Sequence, residues 1–397
     1  MILSQKALLM KPSATLAMAA KARELAATGK DVVSLTVGEP DWGTFTSASS
    51  AGIKAIEDGF TKYTAVPGIP ELREAIAQQY SSHLGVNFAS KEVCVGAGAK
   101  FVIFAALQML LNPGDEVLIP TPYWVSYPTM VELASGVPKF VACGAEVGFK
   151  LTPELLKKSV TAKTKVLILC SPSNPTGLMY SEVEMRALAE ELKNHPHLFV
   201  ISDDIYNRLV FDGRTVAPHL LHYAAELKER LLAVNGASKA YSMTGWRIGW
   251  GLGPLPLINA ISDYASQSTS NVCSITQRAA LAAIRSCEPD VLMANQALTA
   301  KKNWLLQKMK SIKGFRVIEP QGAFYFWTDV NAFFGKKGLV NSKDVAERLL
   351  ADYLVATVPG IEFGSEGYLR LSFATSQASL EKAVERFQKF SDDHLSA

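Results

Sequence analysis

The sequence predicts an α/β protein in which a large domain is built on a mostly parallel sheet and a smaller α+β domain is attached to it. Three observations lead there. Short apolar runs alternate with helix-length segments through about residue 285. Four of those runs end in polar or glycine-rich loops, as strands do at the carboxyl edge of a parallel sheet. Beyond Pro254 the pattern changes to helices followed by antiparallel-looking strands. The chain has 397 residues, 48% of them apolar, which suits more than one core. The large domain is placed at 46–285, and the smaller one at 1–45 plus 286–397.

Residues 13–27 read as a helix with Ser13 as its cap. Residues 31–37 read as a strand that Gly38-Glu39-Pro40-Asp41 breaks, either as a simple turn or as a place where backbone can approach a ligand. Tyr63 lies in a loop before the helix that starts near Pro70, and gains a role only if a second subunit meets it. Strand 92–95, the turn Gly96-Ala97-Gly98-Ala99-Lys100 and helix 101–111 form a strand–glycine–helix unit. Free N–H groups and the helix dipole at such a start favour a phosphate. Phe101 occupies the third glycine position of a dinucleotide fingerprint, and the Gly-Lys-Ser/Thr ending of a triphosphate loop is missing. A tight turn without ligand is the alternative.

Strand 115–120 ends at Thr121-Pro122-Tyr123-Trp124, where Trp124 is either core or a ring stacked on a flat ligand. Strand 165–170 runs into Ser171-Pro172-Ser173-Asn174-Pro175-Thr176-Gly177, whose prolines stiffen the loop around Asn174. Helix 181–193 and strand 198–202 follow, and the strand ends in Asp203-Asp204-Ile205-Tyr206. Run 231–234 leads to Gly236-Ala237-Ser238-Lys239, with Arg247 further on. A lysine delivered to a strand end is partly desolvated, which lowers its pKa and makes its amine nucleophilic. A solvated loop lysine is equally compatible with that stretch alone. Helices are expected at 255–267, 275–285, 289–312 and 380–390, and strands at 315–318, 323–330 and 368–373. Arg370 sits inside the last strand between apolar neighbours, so burial would demand a partner: a substrate carboxylate or a structural acid.

Several classes are disfavoured. A net charge of +3 gives no field for nucleic acid or an anionic membrane. No apolar run approaches the roughly 18 residues of a membrane span, and the first residues lack the pattern of a signal peptide. The five cysteines are scattered and read as reduced core thiols of a cytoplasmic protein; no metal motif appears.

A nucleophilic lysine, a phosphate cradle, a stacking ring, a strand-end acid, a tyrosine, an asparagine and a carboxylate-binding arginine together meet the needs of pyridoxal phosphate. The segments 11–15 (Lys-Pro-Ser-Ala-Thr), 37–41, 122–128, 173–177 and 238–247 occur in order and at the spacing of one family. Over essentially its whole length the chain resembles the class I aminotransferases of fold type I, within them the bacterial aspartate aminotransferases of subgroup Ib.

The resemblance implies a three-layer fold and a homodimer with shared active sites. It implies that Lys239 holds the cofactor covalently and later moves the substrate proton, that Asp203 faces the ring nitrogen, that Tyr206 and Asn174 bond the phenolic oxygen and that Trp124 stacks. It places Gly98, Ala99, Lys100, Ser238 and Arg247 around the phosphate, with Tyr63 reaching over from a second subunit. Gly236 stands where relatives often carry a phosphate-binding serine, which removes one contact. Arg370, Asn174 and the Gly38 backbone are implied for the α-carboxylate, with Trp124 beside it. Lys100, Ser13 and Thr15 are implied for a distal carboxylate. The expected substrates are aspartate and 2-oxoglutarate. Lys11 matches a position tied in relatives to prephenate, so a bifunctional aspartate/prephenate enzyme or a broader aminotransferase stays open. Outside this class stand a pyridoxal-phosphate lyase and an effector-sensing module of a transcription regulator; no DNA-binding segment is visible before Lys11.

Overall fold

The computed structural model describes residues 2–4, 6, 7, 10 and 14–395. The expected positions Lys11 and Ser13 lie outside the described residues. In chain order the strands are β1 (Val33–Ser34), β2 (Val93–Gly96), β3 (Glu116–Thr121), β4 (Val137–Ala142), β5 (Thr164–Cys170), β6 (Phe199–Asp203), β7 (Leu231–Gly236), β8 (Gly249–Leu252), β9 (Arg316–Ile318), β10 (Tyr325–Asp329), β11 (Val355–Ala356), β12 (Val358–Pro359) and β13 (Tyr368–Ser372).

Seven strands make the main sheet in the order β2-β8-β7-β6-β5-β3-β4. From β7 to β4 every neighbouring pair is parallel. β2 and β7 are buried at every residue, as expected of strands covered on both faces. Helices Ala99–Leu110, Tyr127–Leu133 and Leu255–Ser266 cover one face through Val102, Ile103, Val131 and Ile258. Helices Pro70–Leu84, Glu182–Lys193 and Ser274–Ser286 cover the other through Leu72, Ile76, Leu188 and Ala280. The result is three layers. A separate apolar cluster packs both chain ends together: Met18 and Leu35 meet Leu305, Phe326, Leu349 and Phe387 around the sheet β12-β13-β10-β9.

Several elements escaped the sequence reading. β8 runs antiparallel between β2 and β7. Its Gly-Trp-Gly-Leu composition is poor in strand-forming residues, and no crossover helix separates it from β7, so it returns antiparallel. β4 is an edge strand, mostly exposed and carrying Pro138 and Lys139, so it shows no apolar run. Helices Thr46–Glu57 and Ser342–Tyr353 were also unread. The strand expected at 31–37 shrinks to β1, which pairs with β11. Cys273 is exposed, against the expectation of core thiols, while Cys94, Cys143 and Cys287 are buried; all five cysteines are free. Among the described residues no helix is long and apolar enough to cross a membrane, and no cluster of acids, histidines and cysteines could hold a metal.

Two constructions prepare the site. The first is a row of glycines, Gly96, Gly249 and Gly236, side by side in β2, β8 and β7. A Cβ on Gly249 would run into the Ala99 nitrogen and the Gly98 carbonyl carbon, so only glycine lets the turn after β2 lie on the sheet. The second fastens residues 39–44 onto the segment after Lys239. Thr44 Oγ1 donates to the Ser242 carbonyl (2.8 Å), Ser242 Oγ to the Trp42 carbonyl (2.6 Å) and Trp246 Nε1 to Thr44 Oγ1 (2.9 Å), while Thr244 bonds Glu39.

Gly249→Ala forces the Gly98–Ala99 turn off the sheet. It is expected to lower stability by about 1–3 kcal/mol, as overpacking does, measured as a lowered midpoint of chemical denaturation against the wild-type chain.

Candidate active site

At the carboxyl edge of the parallel strands lies a cavity of about 350 Å³. Its wall takes Lys239 and Ser238 from the loop after β7, Asp203 and Tyr206 from the end of β6, and Asn174 from the loop after β5. Trp124 comes from the loop after β3, Ala99 and Lys100 from the first turn of helix Ala99–Leu110, and Arg370 from β13. Gly38, Thr15 and Arg247 complete the set. Residues from both ends and the middle of the chain thus meet in one place, where ligands of open α/β sheets bind.

Lys239 donates from Nζ to the Gly38 carbonyl at 2.6 Å. Burial lowers its pKa from 10.5 to about 8; Glu39 works against that shift, and Arg247 and Arg370 add to it. Asp203 is buried at the end of β6. Burial raises its pKa to about 6 against the hydrogen bond from Tyr127, whose hydroxyl donates to Oδ2 at 2.6 Å. Asp204, the second acid of the strand end, points elsewhere: Ser202 Oγ donates to it at 2.7 Å and His219 stands 3.5 Å away.

Arg370 is 2% exposed. Its Nη1 donates to Asn174 Oδ1 at 2.9 Å and its Nη2 to the Thr36 carbonyl. An arginine has only donors, so Asn174 turns its oxygen to Arg370 and its NH₂ elsewhere. Nε has no partner, and no acid among the described residues pairs with the guanidinium. The structural-acid alternative is thereby set aside. The rings of Tyr325 and Phe363 lie 4.5 and 5.0 Å from the guanidinium carbon.

The glycine turn forms the opposite wall. Gly98, with φ of 93°, precedes helix Ala99–Leu110, and no backbone acceptor takes the Ala99 or Lys100 N–H. Gly98 backs onto Arg247, whose Nη1 bonds the Thr244 carbonyl at 2.9 Å. Arg247 itself holds a positive φ of 54°, a strained conformation for a side-chain-bearing residue. Lys100 lies 4.8 Å over the Trp124 ring, and burial followed by Arg247 lowers its pKa. Gly236 sits where a Cβ would crowd the Ile248 carbonyl.

Residues 30–387 match the family model of class I and II aminotransferases. The chain belongs to that family. It is 47% identical over 393 residues to the probable aspartate/prephenate aminotransferase of Rickettsia bellii, covering 98% of each chain. Its fold superposes on the aspartate aminotransferase of Rhizobium meliloti with a TM-score of 0.95, at 38% identity over 99% of this chain and 100% of that one. For the Thermus thermophilus aspartate aminotransferase with maleate the values are 0.92 and 40%, over 98% and 99%.

Enzymes of this family work with pyridoxal phosphate. The residues present fit it. A part-desolvated amine, a buried acid, free N–H groups at a helix start and a neighbouring arginine face one cavity. Tyr63 is 92% exposed and outside the cavity of its own chain. The aminotransferase departs from the sequence reading in two ways. Gly98 supports the wall without lining it. Tyr127 and Tyr325 line the cavity and bond Asp203 and Tyr206, yet were assigned no role. Tyr127 stands three residues after Trp124 within 122–128, which is the signal the sequence carried.

The lowered pKa of Lys239 gives a direct check on the cofactor-free protein. Below pH 8 the amine is protonated and inert; above it the amine is neutral and reactive. Acylation of Lys239 in cofactor-free aminotransferase, followed by peptide mass spectrometry, is expected to rise with a midpoint near 8 instead of 10.5.

Proposed function

We propose that this aminotransferase moves the amino group of L-aspartate to 2-oxoglutarate, giving oxaloacetate and L-glutamate, in two half-reactions with ping-pong kinetics. The observation that carries the reading is Arg370, a buried cation without an acid, facing the same cavity as the Lys239 amine. A substrate α-carboxylate is the charge that completes it, through the bidentate fork that arginine offers. Asn174 holds the fork in place and turns its NH₂ toward the cavity.

When bound, pyridoxal phosphate supplies an aldehyde for the amino group and a ring that accepts the charge left when Cα loses its proton. The chain's own residues do the rest. Lys239, neutral above about 8, takes the Cα proton and returns it. Asp203, ionised above about 6, keeps a negative charge where a ring nitrogen must stay protonated. Tyr206 and the Asn174 NH₂ serve the phenolic oxygen, and Trp124 covers the ring. Ala99 and Lys100 N–H groups, Ser238 and Arg247 hold the phosphate against the turn that Gly98 shapes. Gly38, whose carbonyl holds the Lys239 amine, borders the α-carboxylate with its backbone.

Lys100 and Thr15, with Ser13, are assigned to the distal carboxylate, and Lys11 to the prephenate reading. What supports this is a part-desolvated ammonium on the Trp124 ring beside Thr15 in one cavity. The exposed Tyr63 is assigned to the phosphate of a second copy, making the working enzyme a homodimer with shared sites. Residues 46–285 form the cofactor-holding domain, and 1–45 plus 286–397 the smaller one, supported by the separate cluster that joins the chain ends. The cytoplasm is the assigned compartment, supported by five free cysteines. A second reading, aspartate/prephenate transamination, is favoured by the name of the Rickettsia bellii relative.

With glutamate as donor, oxaloacetate is expected to be converted to aspartate, and a comparison with prephenate decides between the two readings. Pyruvate or ammonia released without glutamate, on incubation with aspartate and 2-oxoglutarate, would sink transamination. Lys239→Ala should lose about 10²–10⁴-fold or more in kcat, the span of a general acid–base group.

Arg370→Lys loses a fork and one charged hydrogen bond. It is expected to raise KM for aspartate and 2-oxoglutarate alike by about 10–100-fold, whereas Lys100→Ala should penalise these dicarboxylates and spare alanine.

A further inference from the structure

Tyr325 stands in β10 with its side chain on the face of β13 that carries Arg370. Across the ladder Tyr325 pairs with Ser372 and Trp327 with Arg370, so Tyr325 and Arg370 are diagonal neighbours. The ring lies 4.5 Å from the guanidinium carbon. The hydroxyl is 2.8 Å from that of Tyr206, with the two rings edge to face. The same hydroxyl presses on Gly38, where a Cβ would overlap it.

Proton bookkeeping decides the direction of the Tyr206–Tyr325 bond. Two hydroxyls in contact share one proton, and the other proton needs an acceptor of its own. Among the described residues the Tyr325 oxygen has Tyr206 as its sole hydrogen-bond partner, and glycine backbone packs against it. Both tyrosines line the cavity, but the Gly38 backbone closes one side of the Tyr325 hydroxyl. If Tyr206 donated to Tyr325, the Tyr325 proton would turn against that backbone with no acceptor among the described residues, which is costly. The arrangement that satisfies both has Tyr325 donating to Tyr206 and Tyr206 donating into the cavity. Arg370 reinforces it, because a cation over the Tyr325 ring strengthens that O–H as a donor.

We propose that Tyr325 is a positioning residue with two tasks. Its hydroxyl turns the Tyr206 proton toward the cofactor's phenolic oxygen, and its ring supports the Arg370 fork that receives the α-carboxylate. This rests on the pyridoxal phosphate reading of the cavity. It adds a residue that couples the ring's electronics to the carboxylate site through one side chain. A donor to the phenolic oxygen draws electron density from it; without that donor the oxygen helps hold a proton on the lysine-linked nitrogen more tightly.

The test uses the holoenzyme and reads the pH titration of its near-ultraviolet and visible absorbance. Tyr325→Phe keeps the ring and removes the hydroxyl. The absorbance midpoint is expected to rise by about half a pH unit, the size of one modest hydrogen bond. In a Tyr206→Phe background the same substitution should move it by less than about a third of that, since coupled residues are non-additive.

An unmoved midpoint in Tyr325→Phe, or an equal rise in the Tyr206→Phe background, overturns the hydroxyl's task. For the ring, calorimetric titration with succinate, a dicarboxylate without amino or keto group, should show affinity falling about tenfold in Tyr325→Leu and less than about twofold in Tyr325→Phe. Wild-type affinity in Tyr325→Leu overturns the ring's task. A wild-type protein with no such absorbance would instead refute the cofactor reading itself, which separates the two failures.

Discussion

A guanidinium cannot shed its proton, so burying Arg370 obliges the protein to surround it with oxygen and π-electrons or leave it in search of an anion. The chain does some of each. It gives the Asn174 amide oxygen, the Thr36 carbonyl and two aromatic faces, and no carboxylate among the described residues. In the reading proposed above, the remaining charge is what suits the cavity to an acid. The rest of the wall follows from this placement. β13 must lie against β10 to put Tyr325 under the arginine, and the loop after β5 must be stiff enough to keep Asn174 facing it.

The two titrating groups deeper in the cavity show how burial is used with opposite sign. Removal from water raises the Asp203 pKa and lowers that of Lys239. In the ligand-free protein both therefore carry charge between about 6 and 8, the acid negative and the amine positive. Tyr127 prevents Asp203 from drifting higher, because its O–H favours the ionised acid. Three side chains from three segments thus fix one window of charge.

Residues whose place in the cavity follows from their own stretch of chain were legible. Lys239, Asp203 and Asn174 each sit where an apolar run stops, and the end of a parallel strand is where such folds keep their chemistry. Arg370 was conspicuous because a charge inside a strand of Tyr, Leu and Ser needs a reason. What escaped depends on neighbours distant in sequence. Tyr325 is one aromatic among several until β13 lies beside it and the Gly38 backbone touches its hydroxyl. β8 is invisible as a strand because Gly249 makes room for the turn stacked on it and Gly251 for the Val102 side chain. Tyr63 stays 92% exposed, so its own surroundings give it no role.

The path of the backbone between Thr36 and Gly38 has a mechanical meaning. Leu35 is bonded to Ala356 and Ser372, and Thr36 to Arg370, so the chain up to there travels with the carboxyl-terminal sheet. Residues 39–44 are stitched to the segment that follows Lys239, while Asp41 pairs with Lys301, which also bonds the Thr375 carbonyl, and Trp42 packs on the cluster that joins the chain ends. The segment therefore bridges the main sheet and the carboxyl-terminal layer. The peptide oxygen that pins the lysine lies on that bridge, so a shift of the strand that carries Arg370 is felt at the tether of the amine.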